Sequence, residues 1–262
     1  MNWLRRRLPY LISLLSGTGL LAAARLAVAH KDGNFFVWSV IAGSVSALVA
    51  IGGILIFWGG RPLRSLRLAL PAVFLTVSAF LYLLIIETPW GRFGLTALVM
   101  FLTAVFFESL RRSLPAGSDR PGPASLIYLS LVLDAVSLFF LLAFIFGLAT
   151  FYNISLSAAS AGIGLVTAFM AHEMLWRAGF ATRDQAALVA ASGFIGAEVF
   201  AGLYLLPTSY LVNAAVAVVL LTAALHVVKQ VLSGAGELKY FRKELAAALL
   251  LAVLLLTTAR WA

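Results

Sequence analysis

The chain has 262 residues, of which 63% are hydrophobic and only 11% charged, and it carries a formal net charge of +9. A water-soluble domain holds about 25% charged residues, and even a good core could not hide this much apolar surface, so a soluble globular fold is excluded. The absence of cysteine excludes disulfides, thiolate metal sites, iron–sulfur clusters and cysteine nucleophiles. No basic run is long enough to track nucleic-acid phosphates, which leaves retention of basic residues on the cytoplasmic side of a membrane as the reading of the positive charge.

With lipid as the solvent, every backbone amide needs an internal partner, so spans are helices or a closed barrel. The apolar runs here are about 20 residues long, the length of helices, whereas barrel strands alternate over about 10. The expected fold is all-α: a polytopic transmembrane bundle forming a single integral domain over residues 1–262. The first span covers residues 8–29 and follows Arg5, Arg6 and Arg7. Its start and the later Ala27-Val28-Ala29 resemble a signal peptide with a cleavage site. The run has no polar end region apart from Arg25, which favours an uncleaved span. The next spans cover 35–58, 68–86 and 93–110. A break over 113–123, rich in proline and glycine, cannot continue a helix. Five further spans follow at 124–150, 155–175, 185–206, 209–228 and 245–258, the last being the shortest.

Loop charge orients these nine spans. With the N-terminus inside, the inner segments carry Arg5, Arg6, Arg7, Arg61, Arg64, Arg67, Arg111, Arg112, Arg120, Arg177, Arg183, Lys229, Lys239, Arg242 and Lys243. The outer segments carry only Lys31, Arg92 and Arg260. This bias places the N-terminus in the cytoplasm and the C-terminus outside. The stretch from Glu237 to Lys243 reads as a charged inner loop or short surface helix that suits anionic headgroups.

Small residues mark candidate helix contacts: Ser16 to Gly19, Gly43 with Ala47, Gly52-Gly53, Ala158 with Gly162 and Gly164, and Gly193 with Gly196 and Gly202. Close packing is the expected use; a hinge at Gly52-Gly53 is the alternative.

Few residues could carry chemistry. Asp134 falls near the middle of the fifth span, with Ser130 and Ser137 on the same helical face. A carboxylate there must be paired, hydrated or protonated, so this stripe should face the bundle and could bind a proton or cation. Glu198 lies in the outer half of the seventh span on a face with Ala191, Ala201 and Gly202, which suits burial against another helix. Asn213 and Arg25 fall at a similar depth, and an Arg25–Glu198 ion pair would offset both desolvation costs. His172, beside Glu173, and His226 are weak metal candidates, since neighbouring positions diverge by about 100° and no zincin spacing is present. Glu108 sits one turn before Arg111 and Arg112 and reads as a local surface pair.

There is no Walker A loop, no nucleophile elbow, no H-E-x-x-H helix and no paired D-x-x-x-D motif, and Lys229 is not at mid-span. No cofactor is expected. The stretch Gly196-Ala197-Glu198 through Leu206-Pro207-Thr208-Ser209-Tyr210-Leu211-Val212-Asn213 resembles a pattern in uncharacterised multi-pass proteins of candidate-phylum bacteria. That resemblance implies a membrane-embedded fold and no activity. Three roles stand open: a non-enzymatic envelope or scaffold component of the bacterial inner membrane, with a membrane-protein partner; an ion-coupled small-solute transporter using Asp134 and Glu198; and an integral enzyme acting on a lipid or polyprenyl substrate. The scaffold reading leads, because few intramembrane polar groups are available to line a hydrophilic pathway.

Overall fold

The structure is a computed structural model, and it describes residues 2–29, 35–56, 62–113, 124–152, 154–177, 179, 182–233 and 238–259. Among the described residues there are nine helices and no strand: α1 (Asn2–Ala29), α2 (Phe35–Ile56), α3 (Pro62–Leu83), α4 (Pro89–Ser113), α5 (Ala124–Tyr152), α6 (Leu156–Arg177), α7 (Thr182–Tyr204), α8 (Tyr210–Ser233) and α9 (Leu238–Thr258). Seven of them are long and apolar enough to cross a membrane: α1 and α3 to α8. The protein is therefore a helical membrane protein. Lys31, Arg61, Arg120, Arg260, Glu237 and most of the proline- and glycine-rich break (114–123) lie outside the described residues.

Helix starts follow local chemistry. The Thr88 hydroxyl accepts from the Gly91 amide at 3.3 Å, and Pro89 takes the first helical position of α4, where its missing N–H costs nothing. Ser155 caps α6 through the Ala158 amide at 3.3 Å, and Ser209 caps α8 through the Val212 amide at 3.4 Å. The ninth element is longer than its apolar run. Helix α9 takes in Lys239, Arg242 and Lys243 without a break, because Leu238 to Leu245 contains neither glycine nor proline and consists largely of good helix formers.

The chain divides into two compact units, 1–141 and 142–262, with the boundary inside α5. In the first unit α1 packs on α2, α2 on α3 and α3 on α4, and α1 closes the ring on α4. Glycines set the close approaches. A Cβ on Gly19 would lie 2.9 Å from Val45 Cγ2, and one on Gly53 would lie 2.7 Å from Ala69 Cβ and 3.2 Å from the Phe107 ring. Gly17 is covered by Met100 and Gly52 by Ile12. Helix α2 runs unbroken through Gly52-Gly53, so these residues serve packing and the hinge is not seen. Leu20, Val49, Leu75, Phe80, Phe106, Phe107 and Leu133 fill the core, and Tyr82 stacks on Phe140 with ring centres 5.5 Å apart.

In the second unit α6 and α7 form the closest pair, followed by α9 on α8 and α8 on α7. Gly164 and Gly193 meet backbone to backbone, and Gly196 sits under Thr167. Phe146 of the α5 segment stacks on Phe200 with ring centres 4.4 Å apart. Among its described residues α9 buries only Ala248 and Ala252, leaving Leu249, Leu250, Leu251, Val253 and Leu254 exposed. Exposed apolar side chains also cover α1 (Leu14, Leu15), α2 (Leu48, Ile51, Leu55) and α6 (Leu165). In water such surface would be an aggregation liability; against hydrocarbon it matches its solvent. Among the described residues, Gly43, Gly162 and Gly202 have open space where a side chain would go, so no packing contact is seen at them.

Candidate functional site

In the first unit, Ser130, Asp134 and Ser137 are all buried, as their shared helical face requires. Each serine is committed to its own helix. The Ser130 hydroxyl donates to the Ile127 carbonyl at 2.8 Å and the Ser137 hydroxyl to the Leu133 carbonyl at 2.6 Å. A hydroxyl has one proton to give, so neither serine donates to the Asp134 carboxylate. Asp134 is 9% exposed and engaged with another partner.

The same habit runs through both units. Ser13, Ser16, Ser46, Thr76, Ser78, Thr103, Thr167, Ser192 and Thr222 all donate to the carbonyl four residues earlier in their own helices. Hydroxyls satisfied in this way add no donor to a solvated pathway.

Arg25, near the end of α1, is exposed, and its guanidinium carbon lies 5.4 Å from the centre of the Phe93 ring. At the α3–α4 turn, Arg92 Nε donates to the Ile86 carbonyl at 2.7 Å and holds the end of α3. Glu108 accepts from Arg111 Nε at 2.9 Å and Nη2 at 2.6 Å, and from Arg112 Nε at 2.7 Å. The local pairing expected there is present, as a carboxylate clamp on two arginines.

In the second unit Glu198 is exposed, together with Ala191 and Gly202, whereas the sequence pattern favoured its burial. The reason is the choice of face: α7 turns Gly193, Gly196 and Phe200 inward, about half a helical turn away from Glu198. Among the described residues Glu198 has no hydrogen-bond or ion-pair partner. Asn213 is buried and accepts a hydrogen bond from the Thr208 hydroxyl, which ties the α7–α8 turn. Arg25 and Glu198 belong to different units, and their pairing stands as a proposal.

Two polar clusters escaped the sequence reading. His226 Nδ1 lies 3.5 Å from Glu244 Oε1, to which Gln230 Nε2 donates at 2.7 Å, so α8 and α9 share a polar contact at the end that carries Lys243. Glu244 Oε2 is buried there without a hydrogen-bond partner among the described residues. His226 and Gln230 stand four residues apart on one face, which was the available signal. At the α6–α7 connection Glu173 is 4% and Gln185 1% exposed, and both are engaged. The reciprocal meeting of Gly164 and Gly193 sets a register that places positions 173 and 185 at the same level of the hairpin. Among the described residues no group of three or more histidine, aspartate or glutamate side chains could hold a metal ion.

No family model, curated protein or solved structure matches the chain. The class therefore rests on the fold itself: a helical membrane protein with seven membrane-length apolar helices among the described residues.

Proposed function

We propose that the chain is a nine-span integral protein of a bacterial cytoplasmic membrane, with its N-terminus inside, acting as a non-enzymatic envelope or scaffold component. The observation that supports this reading is where the hydroxyls point. They satisfy their own helices and leave apolar side chains on the outside, an arrangement suited to holding helices and partners rather than conducting polar solute. The basic start of α9 (Lys239, Arg242, Lys243) and the other inner arginines would rest on anionic headgroups. Extraction with the surrounding lipid retained, followed by mass measurement of intact particles, tests the role. A scaffold is expected with a second protein species in fixed ratio. Particles holding this 28.0 kDa chain and lipid alone would contradict it.

One observation favours ion-coupled transport as the second reading: Asp134 is an ionisable residue buried within an apolar helix, a placement that commonly marks ion and proton pathways. On that reading Asp134→Asn and Glu198→Gln abolish cation-dependent uptake in vesicles while leaving the protein folded. Normal uptake in both variants removes it.

A further inference from the structure

Glu198 is the anomaly of the second unit. Its face of α7, formed by Ala187, Ala191, Phe194, Glu198 and Gly202, is exposed. Only 28% of an 18-residue apolar window within Gln185–Tyr204 is buried, the smallest share among the membrane-length helices of the described residues. Phe194 is 72% exposed, and a side chain at Gly202 would meet nothing. If α7 spans the membrane, as proposed above and as this inference requires, Glu198 stands about 9 Å from the helix end at Tyr204, at 1.5 Å per residue. Lysine and arginine have long stems that let a buried position reach the interface; a glutamate at that depth does not. The carboxylate needs a donor brought to it.

The chain offers a complementary group. Arg25 stands about 6 Å from the end of α1 at Ala29, on the same side of the membrane under the proposed orientation. It is exposed, and its contact with the Phe93 ring leaves its N–H donors available. Arg92, the other described cation on that side, already spends its Nε on the Ile86 carbonyl. We propose that the exposed face of α7 is a self-association surface, with Glu198 of one copy pairing with Arg25 of a second copy. Ala187, Ala191 and Gly202 keep that face low enough for a helix of the second copy to approach closely. In a two-fold dimer the contact forms twice, each copy giving one arginine and one glutamate.

A charge-exchange experiment tests this with differently tagged copies expressed together and extracted in mild detergent. Wild-type copies co-purify. Glu198→Arg in both copies, or Arg25→Glu in both, lowers co-purification about tenfold, the scale of two polar contacts between membrane helices. Mixing a Glu198→Arg copy with an Arg25→Glu copy restores it, because both contacts are then of opposite charge. Helical circular dichroism and monodisperse elution of each variant separate loss of pairing from loss of fold. The proposal is overturned if wild-type copies do not co-purify, if the single exchanges leave co-purification intact, or if only a double exchange within one chain recovers the protein. That last result would assign the pair to a single copy, and capture of a different protein through this face would assign the surface to a heterologous partner. A negative result here leaves the scaffold reading standing, since that reading depends on a second protein species.

Discussion

Gly164 of α6 and Gly193 of α7 approach each other reciprocally: a Cβ on either residue would lie 3.0 Å from the carbonyl oxygen of the other. The neighbours that could otherwise give way are backbone atoms, so the helices themselves must move apart. Gly164→Leu and Gly193→Leu are each expected to destabilise the protein by about 1–3 kcal/mol, the usual cost of overpacking. Thermal unfolding in detergent measures this. Gly162→Leu, two residues from Gly164 but facing open space, is the control and should leave the melting temperature near wild type.

The Gly52-Gly53 pair yields a second expectation. Gly53 faces Ala69 and Phe107, and Gly52 faces Ile12. Gly53→Leu should therefore lower the melting temperature of the first unit, while Gly43→Leu on the open side of α2 should not. Equal tolerance at both positions would return Gly52-Gly53 to the role of a hinge.

Glu108 neutralises two adjacent arginines, and its side chain is only 13% exposed. Glu108→Gln keeps the shape but leaves Arg111 and Arg112 beside one another without their carboxylate. A loss of about 1 kcal/mol is expected, at the upper end for surface pairs because the contact to Arg111 is bidentate. Glu87→Gln, at an exposed turn position, should be neutral by the same unfolding measurement.

Helix α9 has a narrow apolar seat, Ala248 and Ala252, and a polar tether at its start. Gln230→Leu removes the donor to Glu244 and leaves the carboxylate with His226 alone. Hydrogen exchange should rise along Leu238–Leu249 in this variant, with α6 and α7 unchanged. Exchange rising equally in all three helices would mean that the tether acts on the whole unit.

Much of this was readable from residue order. Length and apolarity marked each helix, and Ser130, Asp134 and Ser137 were placed on one buried face. Glu198 shows where the reading stops. Periodicity defines the faces of α7 but not which one a neighbour takes, and Gly193 and Gly196 decided that choice on the side away from Glu198. The Gln230–Glu244 contact joins residues on two helices, so it is visible only once those helices are packed. The charges of α9 concealed its length, because a pattern that separates apolar runs from charged ones divides a helix that the backbone keeps whole.

The account depends most on the connections at the two ends of α4 emerging on opposite sides of a bilayer. The chain has no cysteine, so a single cysteine can be placed without background. In intact cells, Glu87→Cys should react with a membrane-impermeant maleimide, and Ser113→Cys should react only after permeabilisation. Labelling of both positions before permeabilisation, or release of the wild-type chain from membranes by alkaline washing, would contradict a spanning α4.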